Sequence, residues 1–108
     1  MMARRDSSAK PDMQVQQVFD SVAEYERAHP HAQIEGRRHS AVSIRLRIID
    51  PDFQSLDRLE REPEIWKLLH RLPEDVVVNI TMLLLLTPEE AEHSLASQEF
   101  DHPIPSRV

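Results

Sequence analysis

The chain begins its regular pattern of apolar and polar residues at Asp12. Apolar residues then recur at spacings of three or four: Val15, Val18, Phe19, Val22 and Tyr25. This spacing is typical of an amphipathic helix that packs one face against a core. Asp12 can cap the first turn and Pro30 ends the segment, so the pattern predicts a helix over residues 12–29.

Two segments with alternating polarity follow this helix. Residues 32–38 alternate loosely and contain Gly36, the only glycine of the chain, which indicates an edge strand or a bulge. In residues 41–49, large apolar side chains alternate with serine and arginine, so the segment predicts a strand with one buried face and one basic face. The short separation predicts a β-hairpin, and Pro51 ends its second strand.

The second half of the chain predicts helices on either side of a third strand. Residues 55–61 predict a short helix, and Pro63 suits the first turn of a second helix that ends near Pro73. Residues 80–86 are strongly apolar, which is typical of a strand that is covered on both faces. Thr87 begins a last short helix, because its hydroxyl can cap a first turn that contains proline and glutamate.

These elements predict an α+β fold with a small three-stranded sheet and helices packed on one face, in the order α-β-β-α-α-β-α. The predicted domain spans residues 12–96. Residues 1–11 show no apolar period and predict a disordered arm, whereas residues 97–108 contain two prolines and predict an irregular tail. If the strand over residues 80–86 lies at an exposed edge, two copies could dimerise through it.

Composition narrows the class of protein. The chain of 108 residues has 13 Lys and Arg against 19 Asp and Glu, which gives a formal net charge of −6, and it has no cysteine. This acidity argues against binding nucleic acid through its phosphates. The lack of cysteine excludes disulfides and clusters held by the chain's own thiolates. Because no apolar run is long enough to span a bilayer, we expect no membrane segment. We also expect a cytoplasmic protein with no cofactor.

The sequence gives little indication of a catalytic or metal-binding site. The chain has no cysteine, no Gly-x-Ser-x-Gly motif and no phosphate-binding loop, so we expect no enzyme and no catalytic residues. His29, His31 and His39 could converge on a metal, and Asp50 and Asp52 could bind a cation or serve acid–base chemistry. None of these residues has a fixed ligand spacing. Solvated histidines and an ordinary Asp-Pro-Asp turn explain them more simply, so we predict no metal site.

The leading candidate for a binding surface is the polar face of the predicted hairpin. Arg45 and Arg47 lie on that face, and His39 lies in the adjacent loop. Such a stripe could bind an acidic partner, an anion or a nucleic-acid backbone. Pairing with Glu35 across the strands is the structural alternative. A second candidate surface is the helix pair around Trp66, although Trp66 also suits the core.

One pattern between residues 53 and 90 carries a family resemblance. Its residues are Phe53 after the second strand, Arg61, Ile65, Trp66 and Leu69 in the helices, and Thr-Pro-Glu-Glu at residues 87–90. The pattern resembles the BolA-like proteins, in which a strand also ends in Thr-Pro-Glu-Glu. The resemblance implies a BolA-like fold, which is similar to a type II KH arrangement.

The resemblance also implies a partner. BolA-like proteins can share an iron–sulfur cluster with monothiol glutaredoxins, through a histidine that enters the last strand and a second ligand in the loop between the first two strands. In this chain the first position lies close to Asn79, and His39 is the only candidate near the second. The Gly-x-x-Gly clamp of KH domains is absent, since Gly36 is the only glycine.

We therefore expect a non-catalytic interaction or adaptor domain that binds a protein partner, with Arg45, Arg47 and His39 as the binding residues. Two alternatives stay open. One is a divergent partner of monothiol glutaredoxin in iron–sulfur or metal handling, in which His39 is the ligand. The other is weak nucleic-acid binding through the arginine-bearing strand face.

Overall fold

The computed structural model describes residues 12–103 of the chain. The predicted arm, residues 1–11, and residues 104–108 of the predicted tail lie outside the described residues. No helix within residues 12–103 is long and apolar enough to cross a membrane. The helices and strands are α1 Met13–Ser21, α2 Ala23–Ala28, β1 Gln33–Ser40, β2 Ser43–Ile49, the 3₁₀ helix Pro51–Ser55, α3 Arg58–Leu69, α4 Glu74–Val77, β3 Ile80–Leu86, α5 Pro88–His93 and α6 Leu95–Asp101.

The three-stranded sheet confirms the predicted α+β class. Its strands lie in the order β1-β2-β3, with β1 antiparallel to β2 and β2 parallel to β3. A tight turn joins β1 to β2, whereas the helical connection through α3 and α4 returns the chain so that β3 runs parallel to β2. One face of β2 is fully buried through Ile44, Leu46 and Ile48.

The hydrophobic core lies between that face of the sheet and the helices α1 to α4. Gly36 of β1 allows α1 to approach the sheet closely, because a Cβ atom at this position would lie 3.3 Å from the ring of Phe19. β1 pairs regularly with β2 at Gly36, and the bulge lies further along, between Arg38 and Ser40.

The predicted N-terminal helix is divided into α1 and α2 at Val22. Asp12 caps α1 as expected, since its Oδ1 accepts two hydrogen bonds from backbone N–H groups of the first turn. Val22 is fully buried and has φ −100° and ψ 6°, outside the helical region, so the prediction of a single helix over residues 12–29 is wrong. After this break α2 directs Tyr25 to the end of β2, where it contacts Asp50.

α3 continues through Pro63, so the prediction of two helices separated by this proline is wrong. Asp57 and Glu60 form a capping box that sets the first turn. Buried residues occur on both sides of the proline, and one continuous helix places Arg61 and Ile65 on the same inward face. Pro63 has no N–H to donate to the carbonyl four residues earlier. Both positions are exposed, so water can bind that carbonyl instead.

The chain is helical rather than irregular over residues 97–101. Ser94 caps α6, because its Oγ accepts a hydrogen bond from the N–H of Ser97 at 3.1 Å. Phe100 is only 1% exposed, and α6 lies on the face of β2 that carries Arg47, opposite the core. The predictions of a tail from residue 97 and of helices on one face only are therefore wrong. Seven residues are too few for a clear apolar period, which is why the pattern did not predict this helix.

Candidate functional site

The arginine face consists of Arg45 and Arg47 of β2 with Glu35 and Arg37 of β1, and α6 covers it. Arg47 is 4% exposed. Its Nη2 donates to Glu35 Oε2 at 2.7 Å and to Asp101 Oδ1 at 2.8 Å, while its Nη1 donates to a hydroxyl and a carbonyl of α6. Hydrogen bonding to Arg47 lowers the pKa of Asp101 below its ordinary value. Arg47 therefore joins β1 and β2 to α6 within the fold.

Phe100 completes this contact from the side of α6. Two guanidinium groups contact its ring: the Cζ of Arg37 is 4.7 Å and that of Arg47 is 4.5 Å from the ring centroid. Both separations are typical of cation–π contacts. Beside it, Arg45 Nη1 donates to Glu99 Oε2 at 2.5 Å. The acidic and aromatic residues of α6 thus match the arginines beneath them.

The expected open basic stripe is therefore closed, and the prediction that Arg45 and Arg47 lie on an open face is wrong. His39 is partly buried beside the bulge of β1, and no hydrogen bond or ion pair to its side chain occurs within residues 12–103. The structure brings Arg45 and Arg47 together under α6 but does not bond His39 to either. Nucleic-acid binding through this face stays a prediction, and it would require α6 to leave the sheet.

Trp66, the second candidate surface, packs against the core from a partly buried position. Its ring tilts against that of His70, with 5.5 Å between the centroids. Its Nε1 donates to Glu62 Oε1 at 3.1 Å. Trp66 thus contributes to packing along α3.

The hairpin end of the sheet is held to α1 by polar contacts. Arg38 Nε donates to Asp12 Oδ2 at 2.8 Å, and its Nη2 donates to Gln14 Oε1 at 2.7 Å. Hydrogen bonding to Arg38 lowers the pKa of Asp12. Asn79 Nδ2 donates to the same Gln14 oxygen at 3.0 Å. The resemblance implies an iron–sulfur ligand at this position, but here the amide of Asn79 holds α1 against the start of β3. The glutaredoxin alternative stays a prediction.

Two parts of the family resemblance, Arg61 and the Thr-Pro-Glu-Glu sequence, are in direct contact. This buried arginine of α3 donates from Nη1 to Glu90 Oε1 at 2.6 Å and to the carbonyl of Leu85 at 3.0 Å. Glu90 also forms a capping box with Thr87 at the start of α5. Hydrogen bonding to Arg61 lowers the pKa of Glu90 from 4.5 to about 2. In this chain the Thr-Pro-Glu-Glu sequence thus anchors α5 and the end of β3 to α3.

β3 is an edge strand, because within the described residues it pairs with β2 alone. The N–H of Asp50 donates to the carbonyl of Leu86 at 2.9 Å, so the backbone of Leu86 is directed to β2. The alternation of a strand directs the backbone groups of Leu83 and Leu85 to the outer side. Arg61 takes the Leu85 carbonyl on that side. The backbone of Leu83 therefore faces away from the sheet.

A cluster of His29, Asp50 and Asp52, here called the His–Asp cluster, lies where β2 ends. His29 Nδ1 is 2.8 Å from Asp52 Oδ2 and 3.3 Å from Asp50 Oδ2. Asp50 is fully buried, and its carboxylate accepts hydrogen bonds from the Tyr25 hydroxyl at 2.5 Å and from the N–H of Asp52 at 2.9 Å. Burial raises the pKa of the Tyr25 hydroxyl, and its hydrogen bond to Asp50 raises it further.

The sequence offered Asp50 and Asp52 together as candidate cation ligands and His29 as a candidate metal ligand with two other histidines, but no pattern joined His29 to the two aspartates. His29 follows the last residue of α2, and Asp50 caps the 3₁₀ helix that follows β2. Neither position indicates that the two side chains meet, because the break at Val22 sets the direction of α2. The available signal was the pair of aspartates directly after a buried strand. The cluster is the group among the described residues whose donors could hold a metal ion.

Comparison with known proteins finds no match: no protein-family model matches the chain, and no match is found among curated proteins or solved structures. The BolA-like resemblance therefore stays a prediction that rests on the residues between Phe53 and Glu90.

Proposed function

We propose that this protein is a non-catalytic interaction domain of BolA-like type. It binds a protein partner by adding an extended segment of that partner to the outer edge of β3. The observation that carries the proposal is the outward-facing backbone of Leu83, in a strand that among residues 12–103 pairs only with β2. Edge strands bind extended segments through main-chain hydrogen bonds, and the neighbouring side chains give specificity.

The two edges of the sheet differ in charge, which favours β3 as the binding edge. β1 carries Glu35, Arg37 and Arg38, whereas no residue of Ile80–Leu86 is charged. Charged residues on an edge strand discourage pairing with another chain. The charged residues of β1 therefore disfavour pairing with a strand of another chain, whereas β3 has no such residues.

The side chains of β3 indicate the chemistry of the partner. Leu83 packs against the core, and alternation places Met82 and Leu84 on the opposite face. All three side chains are partly exposed. A strand paired with Leu83 would bring its own side chains beside these residues on both faces. We therefore expect an extended, uncharged segment with apolar residues at successive positions.

The arginine face supports this choice of surface, because α6 already occupies Arg45 and Arg47. The absence of cysteine supports a cytoplasmic location, since the chain has no disulfide to form.

Selection from a peptide library displayed on phage, with the full chain as bait, tests the proposal. We expect extended apolar peptides that bind the wild type and do not bind Thr81→Lys, which adds a charge at an exposed position of β3. Leu83→Pro is a second variant. It removes the outward N–H while leaving the hydrogen bonds between β2 and β3 in place.

Two control variants separate the edge from general effects. Thr81→Val loses the hydrogen bond to Ser43 as Thr81→Lys does, but it adds no charge. Gln33→Lys adds the same charge to β1. Equal binding by wild type and Thr81→Lys would contradict the proposal. Sedimentation of the chain alone tests whether a second copy of the chain binds at the β3 edge instead. A dimer that Thr81→Lys dissociates would assign the edge to that second copy.

A further inference from the structure

We propose that His29, Asp50 and Asp52 bind one divalent transition-metal ion of the Zn²⁺ class, at a site separate from the β3 edge. One ligand atom from each residue lies within 4.8 Å of the other two. A nitrogen donor with two carboxylate oxygens suits Zn²⁺ and Co²⁺, whereas Mg²⁺ and Ca²⁺ prefer sites made of oxygen alone.

One of the separations between the donors matches a tetrahedral ion, and a second is shorter. Two ligand atoms that each lie about 2.0–2.1 Å from a tetrahedral zinc are about 3.3 Å apart. His29 Nδ1 and Asp50 Oδ2 are 3.3 Å apart. His29 Nδ1 and Asp52 Oδ2 are closer, at 2.8 Å, and the side chain of Asp52 can rotate to widen this separation because it is 61% exposed.

Further contacts hold the buried ligand in place. Tyr25 donates to Oδ2 of Asp50, and the N–H of Asp52 donates to its Oδ1, so both carboxylate oxygens are oriented. The imidazole of His29 stacks on the ring of Tyr25, with 3.9 Å between the centroids and 13° between the planes. Such outer contacts orient ligands before the metal arrives and increase affinity.

The charge of the His–Asp cluster is an independent reason for a cation. Within residues 12–103, Asp50 and Asp52 form ion pairs with His29 alone and with no lysine or arginine. One imidazole can balance at most one of the two carboxylates, and one of these carboxylates belongs to the fully buried Asp50. Burial of a carboxylate is costly unless a charge compensates it, and a divalent ion would supply that charge.

The cluster is accessible from solvent on one side. The side chain of His29 is 24% exposed and that of Asp52 is largely exposed, so an ion can enter without opening the core. Three protein ligands leave a position for water, as in open zinc sites. We therefore expect weaker binding than at closed structural sites with four protein ligands.

Calorimetric titration of the full, untagged chain with Zn²⁺ tests the site. We expect one ion per chain, and Co²⁺ in its place should give the visible absorption of a tetrahedral complex. His29→Gln and Asp52→Asn should each weaken binding by about tenfold or more, because even changes around a metal's ligands cost about 10- to 100-fold. His31→Gln is the matched control, because His31 is exposed and lies outside the cluster. Its affinity should equal that of the wild type.

Three results would overturn the proposal: no binding of Zn²⁺, equal affinity in wild type, His29→Gln and Asp52→Asn, or equal affinity for Mg²⁺. Circular dichroism of each variant establishes that it is folded. Asp50→Asn is a poorer probe, since Asp50 is fully buried and its loss would disturb Tyr25. His29 and Asp52 reach solvent, so their variants can be tested in the folded protein.

Discussion

The arginine face and the His–Asp cluster each hold a buried charged side chain, Arg47 in one and Asp50 in the other, but the two have different partners. Arg47 contacts two carboxylates and the polar groups of α6. Asp50 contacts a tyrosine hydroxyl, a backbone N–H and an imidazole. The first region is neutralised by the chain itself, whereas the second retains negative charge.

The difference follows from the chemistry of the two groups. A guanidinium presents five donors in a rigid fork, so one arginine can bind several acceptors from different elements. A carboxylate accepts hydrogen bonds from neutral donors, but these do not cancel its charge. The charges of the arginine face, a predicted binding surface, are thus paired within the fold. The carboxylates of the His–Asp cluster, which the sequence assigned to an ordinary turn, have no lysine or arginine partner among the described residues.

The largest effect is expected at the contact between α6 and the arginine face. Phe100→Ala should reduce the free energy of unfolding by about 3–5 kcal/mol, because it empties a buried aromatic site. Urea unfolding followed by the fluorescence of Trp66 measures the loss. Leu95→Ala is the control on the same helix, since Leu95 is 80% exposed. Equal stability of the two variants would mean that α6 does not stabilise the fold.

A smaller loss is expected at the His–Asp cluster. Tyr25→Phe keeps the ring that stacks on His29 and Phe53 but removes the hydroxyl that donates to Asp50. The free energy of unfolding should fall by about 1–3 kcal/mol, because a buried carboxylate oxygen loses its donor. The same denaturant titration measures this loss. An unchanged unfolding midpoint would show that water replaces the hydroxyl.

Acid should weaken the second buried arginine contact, between Arg61 and Glu90. Arg61 lowers the pKa of Glu90 from 4.5 to about 2, so the contact contributes its full stability above pH 4.5 and loses it as the pH falls towards 2. Unfolding midpoints measured between pH 5 and about pH 2 should show a shallower acid slope for Glu90→Gln than for the wild type. Glu89→Gln, at the exposed neighbour, should keep the wild-type slope, and a lost slope there would contradict the assignment.

The smallest effect is expected at His39. Its side chain makes no hydrogen bond or ion pair within residues 12–103, so His39→Ala should change the free energy of unfolding by less than about 0.5 kcal/mol. A thermal melt of this variant beside the wild type tests the expectation. A larger loss would mean that His39 belongs to the arginine face after all.

The local pattern predicted those parts of the fold that depend on neighbours in sequence. The alternation over residues 41–49 predicted β2 and its buried face, and the residues around Thr87 predicted the start of α5. Asp12 was predicted as a cap from its place directly before the apolar period, and its side chain accepts hydrogen bonds from backbone N–H groups two and three positions away. Such contacts depend on short-range periodicity and on side-chain chemistry, and both can be read from one segment.

The candidate sites were less predictable, because their residues are distant in sequence. Arg47 and Asp101 are 54 positions apart, and His29 and Asp52 are 23 positions apart. No period relates such pairs. The continuity of α3 through Pro63 was missed for a similar reason, since packing against the core outweighed the local preference of a proline.

By itself the sequence determined the α+β class, the hairpin and several helix starts, because hydrophobic period and capping chemistry act over a few residues. Only the tertiary structure decided that α6 covers Arg45 and Arg47, that β3 lies at an edge, and that His29 meets Asp50. These outcomes depend on how whole elements pack, and burial and charge pairing between distant segments set that packing.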